Sequence, residues 1–369
     1  MRIPQRASLV EETAAVLKEG IAGGRWLEVL PGEHQLCAEM HISRTTLRKA
    51  LESLFRQGLL GCGGHGRRHR VLAGGRKTPG TAAANPWCGK EIRILSALPV
   101  RELVSLTQTA LEHFHSELEA AGYTYQFDYC PWLKGRRAAA ELKRLTDQAV
   151  VAAWALLGAS EQVQRWFEGT GLPGIVFGTR FPGIRVPSAE FASGAVGRHA
   201  GMEFLRRGHT RIALMHPAMI LAGDAQCGDG LREVASQPPA AAEVIDGAYE
   251  PSARGIRRAM ERLLARAKPP TAYFVTQPNF VWPVLGCLQQ AGWAVPGDAA
   301  VISRGDDLFL ATSVPEVARY GHDGVRLGKA AARLVLATIT GGSDATTSRT
   351  VMPEFIPGET LGPVPAKPQ

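Results

Sequence analysis

Residues 30–71 constrain the fold more than any other stretch, because their second half has the periodicity of one amphipathic helix. Ser43 is a favourable N-cap, since its hydroxyl can accept a hydrogen bond from the free N–H groups of the first turn. Apolar residues then recur at the three- and four-residue spacing of a buried helix face. They are Leu47, Ala50, Leu51, Leu54 and Phe55. Gly58 follows them and predicts the end of the helix.

The opposite face of this predicted helix is charged. Arg44 and Arg48 are one turn apart near its N-terminal end, which is where a recognition helix contacts base edges. Arginine is also the usual partner of guanine O6 and N7. A solvated charged face is the alternative interpretation, so the neighbouring sequence has to decide between the two.

The neighbouring sequence favours a winged helix-turn-helix. A shorter apolar pattern covers 36–40, so only His41 and Ile42 separate it from Ser43. A helix-turn-helix needs such a tight connection. After Gly58, a glycine-rich segment over 61–66 lies between two apolar ends and predicts a two-stranded wing. Arginines and histidines at its tip suit contacts with phosphate or with a minor groove.

Two other motifs in this stretch are less specific. Glycines at 61, 63 and 66 match the G-x-G-x-x-G dinucleotide fingerprint, but the helix and the acidic residue that should follow are missing. Cysteines and histidines at 34, 37 and 41, and at 62, 65 and 69, have spacings that zinc could use, although each set supplies only three ligands. We therefore predict neither a cofactor nor a metal.

The stretch resembles the DNA-binding domain of the GntR family of bacterial regulators. The resemblance is carried by LPGE (30–33), SRTTLR (43–48), AL (50–51), GL (58–59) and GHG (64–66). It implies that Arg44, Thr46 and Arg48 contact DNA and that the wing tip lies at His65 and Gly66. The full predicted DNA-contacting set is His34, Ser43, Arg44, Thr45, Thr46, Arg48, His65, Gly66, Arg67 and Arg68. The family has Ser-Glu-Arg where this chain has Gly-Glu-His at 32–34, so a histidine replaces an expected arginine.

The net charge supports a module that binds a polyanion. Residues 1–76 have 12 Lys and Arg against 7 Asp and Glu, whereas the other 293 residues have 30 against 27. Most of the +8 charge therefore lies in a fifth of the chain, beside a nearly neutral remainder.

The same sequence predicts a cytoplasmic protein that does not contact membranes. The N-terminus has no apolar core of a signal peptide, and no run of 18 apolar residues occurs. Six cysteines without paired spacing are interpreted as free thiols.

After a first predicted helix over 8–22 and the wing, residues 73–90 are typical of a linker, because Gly, Ala and Pro are frequent and periodicity is absent. Strand and helix patterns alternate from residue 91. The predicted strands are 92–98, 123–130, 150–157, 174–178, 211–216, 244–245, 272–276, 300–304 and 351–356. The predicted helices are 101–121, 136–148, 160–168, 191–207, 252–267, 279–291 and 324–340.

This alternation predicts parallel sheets with helices on both faces. The region is too long for one sheet, so we predict two lobes with a ligand crevice beyond the strand ends. The predicted fold class is α/β, with a small winged helix-turn-helix domain before a two-lobed domain. The predicted domains are 1–72, a linker over 73–90, and 91–363. Within the last, the approximate lobes are 91–187 with 308–340 and 188–307 with 341–363.

The larger region resembles the effector-binding domain of LacI/GalR-type repressors. The matching segments, in order, are RRGHTRIAL (206–214), AGWAVPGD (291–298), VISRGDD (301–307), VPEV (314–317), the alanine-rich 328–341, and PE with PGET (353–360). The resemblance implies the type I fold of periplasmic sugar-binding proteins, with two lobes crossed by three strands, and a homodimer.

The ligand positions of that family match less well. Its effector arginine falls on Cys227, and its Asn-Asp pair falls on Gln277 and Pro278. These departures leave open a different sugar, another ligand or reduced sensing. The predicted effector contacts, all at or just after predicted strand ends, are Arg180, Asp224, Tyr249, Gln277 and Asp306; an ordinary loop role is the alternative for each. Trp154 is assigned to the core, and Trp282 is a candidate for stacking on a sugar ring.

The leading interpretation is a ligand-responsive transcription regulator, a repressor of a sugar-utilisation operon. Its expected partners are a palindromic double-stranded operator, a second copy of the chain and a small effector such as a sugar. An α/β enzyme fused to a DNA-binding head is the alternative, but no G-x-S-x-G, P-loop or H-E-x-x-H motif occurs. A DNA-binding protein with a core that no longer senses a ligand is the third interpretation.

Overall fold

A computed structural model describes residues 9–26, 29–57, 59–61, 69–71, 90–134, 137–149, 151–238, 241–342 and 346–364. The chain divides into two units. The first, called here the N-terminal unit, is the part that precedes Glu91, with the short segments Val150–Ala152 and Ile339–Gly342 grouped with it; the larger unit is the remainder. The elements of the N-terminal unit are α1 (Leu9–Ala22), α2 (Glu33–Met40), α3 (Arg44–Arg56), β1 (Leu60–Gly61) and β2 (Arg70–Val71). In the described parts, no helix is long and apolar enough to cross a membrane.

The N-terminal unit has the predicted helix-turn-helix. The turn between α2 and α3 is tight because His41 adopts a left-handed conformation, with φ of 52°. The five apolar residues of the predicted stripe on α3 are all buried, in a core with residues of α1 and α2. Such burial of a helix face accounts for most of the stability of helices this short.

The described part of the predicted wing is the strand pair β1 and β2. β1 pairs antiparallel with β2, and Leu60 lies opposite Val71. Both of these residues are buried in the same core as the helices. The predicted helix end at Gly58 and the wing tip, including His65, Gly66, Arg67 and Arg68, lie outside the described residues.

The larger unit alternates strands and helices from Glu91 onward. Its strands are β3 (Glu91–Ser96), β4 (Thr124–Tyr129), β5 (Ala153–Leu157), β6 (Gly174–Phe177), β7 (Ser188–Phe191), β8 (Arg211–Pro217), β9 (Glu243–Tyr249), β10 (Ala272–Val275), β11 (Ala300–Ser303), β12 (Ala318–Gly321), β13 (Ser348–Val351) and β14 (Glu354–Ile356). Its helices are α4 (Ser105–Ala120), α5 (Ala138–Gln148), α6 (Glu161–Thr170), α7 (Ser193–Arg206), α8 (Ala222–Ala235), α9 (Ala253–Leu264), α10 (Val281–Gln290), α11 (Leu308–Ala311) and α12 (Gly324–Ile339).

These strands form two six-stranded sheets, which define two lobes. Lobe 1 has the order β13-β7-β6-β5-β3-β4, and lobe 2 has the order β14-β12-β11-β10-β8-β9. All neighbouring strands are parallel except β12 and β14. The described chain passes between the lobes three times, after β7, after β12 and after β13.

Helices cover both faces of these sheets, so the central strands are apolar without alternation. β10 illustrates this arrangement. Ala272 and Phe274 belong to a core cluster on one face of the lobe 2 sheet, whereas Tyr273 and Val275 belong to a second cluster on the other face.

The lobe ranges drawn from the sequence, 91–187 with 308–340 and 188–307 with 341–363, differ from the observed sheets. β7 and β13 belong to lobe 1, and β12 belongs to lobe 2. The predicted strand over 351–356 is two strands, β13 and β14, one in each lobe. Pro353 lies between them, and because proline has no N–H to donate, it interrupts a sheet ladder.

Candidate DNA-contacting helix and ligand cleft

α3 carries most of the predicted DNA-contacting residues. Its N-cap Ser43 accepts a hydrogen bond from the backbone N–H of Thr46 at 3.1 Å, and the two side-chain oxygens of Ser43 and Thr46 lie 2.8 Å apart. Both side chains therefore hold the first turn of α3. This N-terminus of α3 is exposed. The free N–H groups of a helix N-terminus can bind a phosphate oxygen.

The other predicted DNA contacts are placed only by their backbone. Arg44, Thr45 and Arg48 lie on the first two turns of α3, and His34 lies on the first turn of α2; their side chains are outside the described residues. The arginine positions are separated from the buried stripe by the helical periodicity, because Leu47 and Leu51 face the core.

The larger unit has a cleft of about 300 Å³ between its two lobes. Its walls are the segments that follow the carboxyl ends of β3, β5, β6 and β7 in lobe 1, and of β10, β11 and β12 in lobe 2, together with the start of α8. Ligands of open parallel sheets bind at these strand ends, so the cleft lies where the sequence predicts the crevice.

Three predicted effector contacts, Asp224, Gln277 and Asp306, line this cleft. Asp224 is almost fully buried, with 1% of its surface exposed. Its Oδ1 lies 3.0 Å from Nη1 of Arg304 and accepts a hydrogen bond from Nε2 of Gln277 at 3.2 Å. Its Oδ2 accepts from the backbone N–H of Leu221 at 3.4 Å. Asp224 therefore holds the cleft wall together.

The other two predicted effector contacts lie outside the lining of the cleft. Arg180 donates to the backbone oxygens of Val186 at 3.2 Å and Thr346 at 2.9 Å. Tyr249 is buried in the lobe 2 core, where its ring packs against Phe280 at 4.9 Å. Burial raises the pKa of its hydroxyl, which therefore stays protonated.

The two tryptophans also differ in their surroundings. Trp154 is fully buried, which confirms its assignment to the core. Trp282 is 43% exposed on α10 and is not among the described residues that line the cleft.

Several cleft residues were not identified from the sequence, among them Glu190, Arg304 and His322. Arg304 ends a predicted strand, so its position could have been found by the same reasoning that selected Asp306. Glu190 and His322 lie on and just after β7 and β12, two strands of four residues that the sequence pattern did not predict.

His322 is a half-buried and neutral member of the cleft wall. Its Nδ1 lies 2.7 Å from the backbone oxygen of Tyr320, and its ring contacts Phe191 edge-on at 4.4 Å between centroids. Burial lowers the pKa of this histidine to about 4. Because a carbonyl oxygen only accepts, Nδ1 donates the proton, and Nε2 is then an acceptor.

We expect this histidine to make the folded chain less stable in mild acid. Its pKa is below the ordinary value of 6.5, so the unfolded chain binds the proton more tightly. The contribution of neutral His322 to the free energy of unfolding is complete above about pH 6.5 and is lost as the pH falls towards 4. Between pH 7.5 and 4.5, the free energy of unfolding should fall by about 2 kcal/mol more in the wild type than in His322→Gln. Urea titrations at several pH values measure this difference, and parallel curves would contradict the assignment.

A direct hydrogen-bonded contact joins the lobes at the mouth of the cleft. Asp307 of lobe 2 accepts from Oγ of Ser105 at 2.8 Å and from its backbone N–H at 3.3 Å, and Ser105 begins α4 of lobe 1. The same carboxylate caps α11 through the N–H of Leu308. A change in the angle between the lobes would therefore break or remake this contact.

The described residues include some of the metal ligands considered from the sequence and four of the cysteines. No group of three or more His, Cys, Asp or Glu in those ranges could hold a metal ion. Both three-residue sets considered from the sequence include side chains that the structure does not describe, that of His34 in the first set and those of Cys62 and His65 in the second. Cys37, Cys130, Cys227 and Cys287 are free, and burial raises the pKa of the Cys227 thiol to about 12.

Two protein families match separate parts of the chain. Residues 9–66 match the bacterial regulatory proteins of the gntR family, and residues 202–361 match the periplasmic binding protein-like domain. The HTH-type transcriptional regulator GalS of Salmonella typhimurium is 29% identical over 189 residues, which are 50% of this chain and 55% of GalS. The chain therefore spans about half the length of this curated relative.

Solved structures share the two-lobed fold. A LacI family transcriptional regulator from Enterococcus faecium with bound ribose covers 74% of this chain and 99% of its own, with a TM-score of 0.60 and 18% identity. A LacI family regulator from Mycobacterium smegmatis covers 74% and 99%, with a TM-score of 0.62 and 20% identity. These likenesses agree with the fold class predicted from the sequence.

Proposed function

We propose that this chain, which joins a GntR-type DNA-binding domain to a periplasmic-binding-protein-like domain of the LacI/GalR type, is a ligand-responsive transcription regulator. One observation carries the proposal. The same chain has a capped, amphipathic α3 at a helix-turn-helix position and a separate two-lobed unit with a cleft of about 300 Å³. A DNA-reading element and a small-molecule site in one chain are the two parts that such a regulator needs.

The regulator acts as a dimer on a palindromic operator, where two copies of α3 enter the major groove about one helical turn apart. Its effector binds in the cleft and is expected to be a sugar, in keeping with the ribose-bound structural neighbour. Ligand binding favours one angle between the lobes over another through its different affinity for the two states. The protein works in the cytoplasm, as a repressor of a sugar-utilisation operon.

The recognition helix gives the direct test of this proposal. An operator is first selected from a random double-stranded library with the full-length chain. Arg44→Ala or Arg48→Ala should then lose about 1–3 kcal/mol of binding free energy and show a relaxed sequence preference, because each removes a contact to base edges. Competition binding at fixed salt concentration measures both effects.

Lys18→Ala is the matched control for these variants. It also removes one positive charge from the N-terminal unit, but Lys18 lies on α1 and donates to Gln57. We expect it to leave the sequence preference unchanged. Wild-type affinity and preference in both arginine variants would show that α3 is not the reading helix.

A further inference from the structure

The lining of the cleft has more carboxylates than positively charged side chains. Its lining has four carboxylates, those of Glu102, Glu190, Asp224 and Asp306, and one guanidinium, that of Arg304. Asp224 already holds Arg304 at 3.0 Å. Asp306 is held at 2.7 Å by Arg319, which is itself buried and lies behind the lining. Arg304 in the described lining and Arg319 behind it therefore each already have an acidic partner.

Glu190 differs from the other carboxylates of the described lining, because one of its oxygens is buried without a hydrogen-bond partner. Oε1 accepts from Oγ of Ser348 at 2.6 Å and lies 3.4 Å from Oγ of Ser188. Oε2 is buried and has no hydrogen-bond partner among the described residues. A buried acceptor without a partner costs free energy, and that cost is removed when a ligand donates to it.

Two further groups extend this acceptor-rich surface. Oγ1 of Thr276 is buried at the end of β10 without a partner in the described chain, and its residue is fully buried. His322, with Nδ1 donating to Tyr320, offers Nε2 as an acceptor. A ligand with several hydrogen-bond donors would satisfy these groups together.

A negatively charged ligand would bind poorly in this cleft. Phosphate and carboxylate groups need positive charge or several free N–H donors. The guanidiniums nearby are already paired, and the N-terminal turn of α8 already holds the carboxylate of Asp224, which accepts from the N–H of Leu221. The unpartnered Oε2 of Glu190 would repel such a group, because like charges interact more strongly at a buried atom than in bulk water. The cleft therefore selects against anions as well as for donors.

We propose that the cleft takes a neutral or amino-bearing sugar and excludes sugar phosphates and sugar acids, with Glu190 as the residue that sets this specificity. The unused oxygen of Glu190 accepts hydrogen bonds from adjacent hydroxyls, or from a hydroxyl and an ammonium group. This inference rests on the proposed function, because it assigns the effector class of the same cleft.

The test compares matched ligands on the full-length chain by isothermal titration calorimetry. The probes are glucose, galactose and ribose, the amino sugars glucosamine and galactosamine, the corresponding hexose 6-phosphates and ribose 5-phosphate, and glucuronate and galacturonate. For the skeleton that binds, we expect the neutral or amino form to bind at least about tenfold more tightly than its phosphate or acid, a difference of about 1.4 kcal/mol.

Two variants then assign the effect to Glu190. Glu190→Gln keeps the shape but replaces an acceptor oxygen with an NH₂ donor, so affinity for the neutral sugar should fall about tenfold and the difference from the acid should narrow. Ser348→Ala removes the hydroxyl that orients Glu190 and should give a smaller loss in the same direction. Glu233→Gln, on the exposed part of α8, should bind like the wild type.

Each outcome has a definite meaning. Preference for the neutral or amino sugar that depends on Glu190 supports the inference. Tighter binding of the phosphate or acid, an unchanged preference in Glu190→Gln, or no binding of any probe overturns it. The same preparation is also used to select an operator. If it selects a DNA sequence, the proposed regulator function stands and the sugar results test only the inference about the cleft. If it selects none, the proposed function itself has failed.

Discussion

Replacing Gly197 with alanine is expected to lower the free energy of unfolding by about 3 kcal/mol, because α7 and α8 cross too closely for a methyl group. A Cβ at Gly197 would lie 1.9 Å from the backbone oxygen of Cys227 and 3.0 Å from the backbone N of Leu231. Backbone atoms cannot rotate away as a side chain does. The two helices would have to separate and loosen the core that Cys227 and Leu231 share with α7.

Gly201, one turn further along α7, is the matched control. A Cβ there would meet a methyl carbon of the Leu231 side chain at 3.2 Å and Cβ of Val234 at 3.5 Å. The leucine can shift slightly, and alanine is favoured over glycine in a helix by up to about 1 kcal/mol. Gly201→Ala should therefore stay within about 1 kcal/mol of the wild type.

Thermal unfolding of the full chain distinguishes the two glycine variants. A loss of 3 kcal/mol corresponds to roughly 6–10 °C in Tm for a unit of this size. Equal Tm values for Gly197→Ala and Gly201→Ala would show that the helices do not cross at the described distance.

Replacing Asp224 with alanine should lower the free energy of unfolding about as much as Gly197→Ala does, because it breaks a buried electrostatic contact. The change leaves the Arg304 guanidinium, the Gln277 amide and the Leu221 N–H without the carboxylate that they share. Breaking a buried ion pair from one side costs about 3–5 kcal/mol. Arg304 keeps 21% of its side-chain surface exposed and can be partly hydrated, so we expect about 3 kcal/mol.

Asp229 gives a control on the same helix. It also pairs with an arginine, Arg232 at 3.3 Å, but both side chains are about half or more exposed. Exposed pairs contribute about 0–1 kcal/mol, so Asp229→Ala should be close to neutral. Urea unfolding of the full chain measures both variants, and equal midpoints would mean that Asp224 does not support the cleft wall.

The N-terminal unit could be predicted largely from local signals. The N-cap at Ser43, the apolar stripe from Leu47 to Phe55 and the two-residue turn are all properties of adjacent residues. The structure confirms them, with the cap bond at 3.1 Å and the stripe buried. No pairing between distant parts of the sequence was needed.

α8 shows why other parts of the fold could not be predicted. Its sequence has glycines at 223, 228 and 230, which disfavour a helix when considered locally. In the fold they are useful, because a Cβ at Gly230 would lie 2.2 Å from the backbone oxygen of Gly194 on α7. Tertiary packing therefore stabilises a helix that local propensity opposes.

The residues of the candidate cleft could be predicted only in part. Asp224, Gln277 and Asp306 line it because the ends of parallel strands converge. Arg180 and Tyr249 also lie near strand ends, but their side chains turn to the backbone of Val186 and into the core. Position along a strand identifies the edge of a sheet, whereas the direction of a loop side chain depends on the packing around it.

The last strands of the two sheets have a consequence for how the chain is synthesised. β13 lies at the edge of lobe 1 beside β7, and β14 lies at the edge of lobe 2 beside β12. The lobe 1 sheet cannot be completed until translation has passed Val351, nor the lobe 2 sheet until it has passed Ile356, although most of lobe 1 is made much earlier. Until then the nascent chain exposes two unpaired strand edges, the surfaces at which incomplete sheets aggregate and which chaperones shield. The last strand of each sheet is therefore among the last segments of the described chain to be made, so both lobes are completed late and nearly together.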